Sequence, residues 1–204
     1  MNEPTPLLLE TIKIEEGKIS NLEYHQKRCD LSRASLFQTT HSLKLSSYIH
    51  PPSKGLYRCR IIYNKQIHSI EYIPYTPKDV STLKIVPSAI EYAFKYANRD
   101  ALNTLVKTYA DVDEIIIEKD GYISDTSIAN IAFYDGEKWI TPSSPLLKGT
   151  MRAKLIDEGF LHLRDIQKED LSKYTQVALM NAMIGFKVLT DITIQDIKGN
   201  IYDY

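Results

Sequence analysis

Cysteine is almost missing from this chain: Cys29 and Cys59 are the only two in 204 residues. Two thiols support neither a disulfide framework nor a thiolate metal site, and they fit a reducing compartment. No apolar run reaches the length of a membrane span. The first residues, Met-Asn-Glu-Pro-Thr-Pro, lack a basic segment followed by an apolar one, which predicts a cytoplasmic protein. Neither sign of charge is in excess. With 25 Lys and Arg against 26 Asp and Glu the net charge is −1, which removes the bulk electrostatic case for nucleic acid or anionic membrane. Common catalytic signatures are missing as well. There is no nucleotide-type phosphate loop, Gly-x-Gly-x-x-Gly, His-Glu-x-x-His or Gly-x-Ser-x-Gly. The histidines His25, His41, His50, His68 and His162 are scattered without metal-ligand spacing, so no metal is implied.

What is present is an ordinary globular composition, 43% hydrophobic and 25% charged, which excludes wholesale disorder and coiled-coil or collagen-like chains. Such a length makes one large domain or two small ones, with a core that needs no staple. Leu7 to Ile14 predicts a strand, Glu15 to Lys18 a turn, and Ile19 to Leu22 the returning strand. Glu23 to Leu36 mixes charge with apolar residues at helical spacing. Leu56 to Asn64 and Ile67 to Pro74 predict two strands. The stretch Pro74-Tyr75-Thr76-Pro77-Lys78 has the prolines of a linker. Beyond it come a strand at Leu83 to Val86 and a helix at Asp100 to Lys107. A hairpin follows around Asp120-Gly121 and another around Asp135-Gly136. A helix from Thr150 to Glu158 ends at Gly159, and strands lie at Val177 to Met180 and Phe186 to Ile192. The expectation is a mixed chain with a smaller N-terminal domain, 1–78, and a larger C-terminal domain, 79–204.

Four segments carry chemistry when taken together: Asn21 to Arg28, Lys95-Tyr96-Ala97-Asn98-Arg99, Asp120 to Ile131, and Trp139 to Pro142 followed by Leu147 to Arg152. In order and spacing they resemble the class IV aminotransferase family of fold-type IV pyridoxal-phosphate (PLP) enzymes, over about residues 8 to 190. The resemblance implies a two-lobed α+β fold of the D-amino-acid aminotransferase kind, with a trimmed N-terminal lobe, and PLP as cofactor. It implies a homodimer with partner residues at the site.

The resemblance assigns roles residue by residue. Lys95 corresponds to the lysine that forms the Schiff base with PLP and then moves the proton at the substrate's α-carbon. It follows the apolar-rich Ala89 to Phe94, a setting that desolvates an ammonium. Lys107 is the fallback, and a surface lysine the plain alternative. Asp125 stands where the family usually has the glutamate that keeps the pyridine nitrogen protonated; a turn or capping role is its alternative. Arg28, in His25-Gln26-Lys27-Arg28, corresponds to a phosphate-contacting arginine. Thr150 and Met151 open a helix whose N–H groups suit an anion, and Asn181 and Ala182 match the family's other phosphate-side donors. Arg58 and Arg60 alternate on one strand, and paired guanidiniums suit a carboxylate substrate; Arg58 matches the family better, and a charged edge strand is the alternative.

Lys95-Tyr-Ala-Asn-Arg and Asn181-Ala182 look more like the aminodeoxychorismate lyase branch. That branch eliminates pyruvate and leaves 4-aminobenzoate for folate synthesis. Amino-acid aminotransferases of the branched-chain or D-amino-acid type commonly have tyrosine five residues after the lysine, where this chain has Asp100. The implied function is therefore a lyase acting on an amino-bearing carboxylate. A class IV aminotransferase is the alternative, and a non-catalytic relative the alternative of another class.

Overall fold

Period-two alternation decides the first sheet. Leu8, Glu10, Ile12 and Ile14 are buried while Thr11 and Lys13 between them are only partly so, as a strand covered on one face requires. In the computed structural model, which describes residues 5–204, this run is strand β1 (Leu8–Glu15). The return strand β2 (Lys18–Ile19) is shorter than expected. Asn21 adopts a left-handed conformation (φ 51°), and helix α1 (Leu22–Phe37) starts directly after it. Strands β3 (Leu56–Tyr63) and β4 (Ile67–Pro74) complete an antiparallel sheet in the order β2-β1-β3-β4. Cys59, Ile61 and Tyr63 share a face with Leu8, Ile12 and Ile14, and Cys29 and Phe37 of α1 pack against it. The buried face of α1 is half polar, since His25, Ser32 and Arg33 are inside with Cys29 and Phe37. Arg33 donates to the carbonyls of His41, Asn64 and Lys65, which ties α1 to the β3–β4 turn.

The chain divides into two compact units. The first ends at Pro77 but also takes in Phe94–Asn98 with Lys95, and the second comprises Lys78–Ala93 and Arg99–Tyr204. The cause is a free edge. The N-terminal half of β1 has a vacant side that β2 does not reach. There the Leu9 N–H donates to the Lys95 carbonyl (2.8 Å), the Ala97 N–H donates to the Leu7 carbonyl (2.9 Å), and Leu8 bridges Tyr96.

The second unit contains β5 (Thr82–Pro87), α2 (Asp100–Thr108), β6 (Glu114–Lys119), β7 (Tyr122–Thr126), β8 (Asn130–Tyr134), β9 (Trp139–Pro142) and α3 (Thr150–Asp157). It continues with β10 (Leu161–Arg164), β11 (Gln176–Asn181), β12 (Gly185–Leu189), β13 (Thr193–Asp196) and β14 (Ile201–Asp203). The strand order is β10-β9-β8-β7-β6-β5-β13-β14, with β11 pairing both β8 and β12. The β6–β7 hairpin turns at Asp120 (φ 52°) and Gly121 (φ 85°), the paired left-handed residues that Asp-Gly supplies at least cost. Leu83, Ile85, Ile116, Ile131, Phe133, Val177, Leu179 and Ile194 form the core of this unit. Each buried Leu or Ile side chain contributes about 1.5–3 kcal/mol.

The split edge of β8 positions the site. β11 pairs along all of β8 on one side. On the other side β7 meets only its first residue, Asn130, and β9 only its last two. No helix among the described residues is long and apolar enough to cross a membrane.

Candidate active site

In the first unit the site is built on Glu10. Its place in the β1 alternation turns it toward α1, and His25 and Arg28, three apart on α1, both reach it. The Glu10 carboxylate lies 2.6 Å from His25 Nδ1. It accepts from Arg28 Nε at 2.9 Å and from Arg28 Nη2 at 2.5 Å, a bidentate charge-assisted pair. Glu10 and His25 are fully buried. Burial alone would raise the Glu10 carboxyl, but the Arg28 charge and the bonds from His25 and Arg28 overcome it and hold the group at about 2. Burial pushes His25 below its ordinary value, the Glu10 bond only partly offsets this, and the charges of Arg28 and Lys95 push further in the same direction. A neutral ring donates Nδ1–H to Glu10 and leaves Nε2 an acceptor. Lys95 itself is half-buried rather than fully desolvated.

Arg28 is thus largely buried, its orientation fixed by an ion pair from β1. Glu10 was not among the residues expected to act. A carboxylate at an inward position of an apolar strand was the available signal, because such a group must find a cation. Arg58 and Arg60 project from the opposite face of the sheet to Glu10, since they pair with Lys13 and Thr11 rather than with Ile12 and Glu10. Arg60 donates to Glu71 at 3.1 Å. The Arg58 Nε is buried and has no hydrogen-bond partner among the described residues. The two guanidiniums therefore differ, and Arg58 keeps the donor that an incoming acceptor could use.

In the second unit the site is built on a tight turn. The Thr126 hydroxyl donates to the Ala129 carbonyl and accepts from the Ile128 and Ala129 N–H groups, and the Thr126 N–H donates to Ala129. Glu114 and Arg99 hold Ser127 at the turn's tip. This closure sets Asp125 and Asn130 opposite one another. The capping role foreseen as Asp125's alternative belongs to Thr126. Asp125 is only 3% exposed. Its Oδ1 accepts from Asn130 Nδ2 at 2.7 Å and its Oδ2 from the Leu147 N–H at 2.8 Å. Burial pushes the carboxyl up to about 6, and the Leu147 and Asn130 bonds and the Arg152 charge oppose it without cancelling it. Neutral donors hold this carboxylate, which gives it capacity for a cation.

Helix α3 starts at Thr150, which is buried, with Gly149 as N-cap. Its first-turn N–H groups form an anion-favouring end. The β11–β12 turn lies beside it: a Cβ on Gly185 would sit 3.7 Å from Met151 Cε. Asn181 serves that turn through its side chain, its Oδ1 accepting from the Met183 and Ile184 N–H groups at 2.9 and 3.0 Å. Met151, next to Thr150 on α3, therefore lies beside the turn that holds Asn181 and Ala182.

The amino-transferase class IV model matches residues 7–190. The chain belongs to the class IV aminotransferase family. An "Uncharacterized protein" of Haemophilus influenzae is 39% identical over 184 residues, covering 87% of this chain and 98% of its own length. A solved structure from Haemophilus somnus, described as a "putative 4-amino-4-deoxychorismate lyase", is 36% identical with a TM-score of 0.81, covering 90% of this chain and all of its own. A hypothetical aminotransferase from Mycobacterium tuberculosis in its PLP-bound form shares the fold at 14% identity, TM-score 0.74, covering 92% of this chain and 81% of its own. The fold is the α+β fold-type IV architecture. PLP is the cofactor of this family, and the donor set here suits it. In the first unit a fixed guanidinium and a half-buried lysine suit a phosphate and an aldehyde, and in the second a buried carboxylate and an anion-favouring helix start suit a pyridine nitrogen and a phosphate.

Proposed function

We propose that this protein is a PLP-dependent lyase of the aminodeoxychorismate lyase kind, with an amino-bearing carboxylate as substrate. PLP, when bound, would supply an electron sink for the substrate's α-carbon. Lys95 would bind the cofactor's aldehyde carbon and, once displaced by the substrate amine, would move the proton at that α-carbon. Asp125 would hold the proton on the ring nitrogen. Arg28, kept in orientation by Glu10, would anchor the phosphate together with Thr150, Met151 and the Asn181-Ala182 turn. Arg58, on the sheet face opposite to Glu10, would take the substrate carboxylate, while Arg60 beside it stays engaged by Glu71. We place the enzyme in the cytoplasm as a homodimer.

The observation that carries this reading is Asp125. It is buried and fixed through both oxygens by neutral donors, and burial raises its carboxyl to about 6. A pyridinium N–H would oppose that rise. The likeness to the Haemophilus somnus structure supports the lyase over the transaminase reading.

The test is to supply the PLP-loaded protein with aminodeoxychorismate, and then with a panel of L- and D-amino acids and 2-oxoglutarate. Pyruvate and 4-aminobenzoate released from the first, with no keto-acid exchange in the second, support the lyase. Turnover of amino acids alone would make the protein a class IV aminotransferase. Cofactor binding with no turnover of either would make it a non-catalytic relative.

A further inference from the structure

We propose that Asn130 is the positioning residue for Asp125, and that glycine stands at position 149 so that one carboxamide can fix both that carboxylate and the start of helix α3. The inference rests on the reading above for what Asp125 is aimed at.

Aspartate reaches one methylene less far than glutamate, so its backbone and its anchors must set its place closely. A productive site tolerates errors of about 0.5 Å. Here the anchors form a closed ring of three residues. The Leu147 N–H donates to Asp125 Oδ2 at 2.8 Å. Asn130 Nδ2 donates to Asp125 Oδ1 at 2.7 Å and to the Leu147 carbonyl at 2.8 Å. Leu147 thus serves as donor to one partner and acceptor from the other. Of the roughly four lone-pair positions on an ionised carboxylate, the Asn130 and Leu147 donors and a further backbone bond from Leu146 take three, which leaves acceptor capacity for one ring N–H.

The same geometry fixes which way the carboxamide faces. Turned over, it would set its oxygen against a carboxylate oxygen and a carbonyl oxygen. Asn130 Oδ1 must therefore point away from both, and it points at Gly149. A Cβ built on Gly149 would lie far inside van der Waals contact distance of that oxygen. Gly149 has φ −68° and ψ 147°, an extended conformation open to any residue. The backbone does not call for glycine here; the Asn130 oxygen does. Gly149 is also the N-cap of α3, so the carboxamide that steadies Asp125 abuts the segment that presents Thr150. Arg152, which is tied to the Pro142 carbonyl, adds a charge that favours the ionised form of Asp125.

The experiment follows the side-chain carboxyl resonances of [13C]aspartate-labelled protein through a pH titration without cofactor, with Asp125 assigned by its loss in Asp125→Asn. It compares wild type, Asn130→Ala, Gly149→Ala and the double variant. Asp125 should titrate at least one pH unit higher in each variant than in wild type, a tenfold or greater change in proton affinity. PLP affinity at pH 8 should fall at least tenfold in each single variant. The double variant should be no worse than Asn130→Ala, because alanine at 149 acts through the carboxamide. An Asp125 titration that stays within 0.3 pH units of wild type (roughly twofold) in Asn130→Ala overturns the proposal. So do losses that multiply in the double variant. Should Asn130→Ala not fold, Gly149→Ala decides, since it keeps every polar group and still displaces the carboxamide. If wild type shows the coupled titration but binds no PLP, the functional reading fails while the clamp stands.

Discussion

Replacing Glu10 with glutamine keeps the shape of the side chain and removes its charge. The carboxyl is held at about 2 against an ordinary 4.5, chiefly because Arg28 and His25 outweigh its burial. Two and a half pH units correspond to about 3 kcal/mol at 1.36 kcal/mol per unit. The folded value is depressed, so this stabilisation is fully present above pH 4.5 and is lost as pH falls toward 2. Glu10→Gln should therefore unfold with about 3 kcal/mol less free energy at pH 7. At about 2–4 °C per kcal/mol for a chain of this length, that is a drop of about 6–12 °C in Tm. Urea unfolding followed by far-UV circular dichroism between pH 7 and pH 3 gives the comparison directly. The gap between wild type and variant should be constant above pH 5 and narrow below pH 4.5. A gap under 1 kcal/mol at pH 7, or one that does not narrow in acid, would refute the reasoning that Glu10 is an ionised partner of Arg28.

Asp125 should show the opposite sign. Its folded value is raised from 3.8 to about 6, so the folded protein takes up a proton before the unfolded chain does. Acidification from pH 7 to pH 4 should add about 2 kcal/mol of stability at this group in the cofactor-free protein, and Asp125→Asn should lose that part of the gradient in urea titrations. Arg58→Ala should raise KM for the substrate at least tenfold with kcat within threefold, whereas Arg60→Ala, whose guanidinium is already engaged by Glu71, should change KM less than twofold. Steady-state kinetics on both variants checks the difference. Asn181→Ala removes the acceptor of two N–H groups and should cost about 1–2 kcal/mol of stability, with weaker PLP binding by fluorescence titration.

Local pattern made much of the fold legible. The alternation from Leu8 to Ile14, the Asp120-Gly121 hairpin and the helix from Thr150 follow from neighbours in the chain, and the structure has them within a residue or two. The misses share one cause, distant pairing. Leu161–Arg164 buries only its first residue and is a strand because it lies parallel to β9. Thr193–Asp196 is a strand because it lies parallel to β5, more than a hundred residues earlier. Phe94–Asn98 joins the first unit through backbone bonds to β1 that no local signal announces. At the candidate site the family resemblance pointed to the motif residues but not to the groups that brace them. Glu10 and Asn130 act by orienting Arg28 and Asp125, and orientation appears only when strand and helix are set side by side. Gly149 reads as a simple helix stop or start until the Asn130 oxygen is seen against it.

The account depends on one amine. Loading the protein with PLP, reducing it with borohydride and mapping the modified peptide by mass spectrometry tests it most directly. The prediction is a single pyridoxyl-lysine at position 95, missing from Lys95→Ala protein. A pyridoxyl group found at Lys107 instead, or equal labelling of the Lys95→Ala variant, would contradict it.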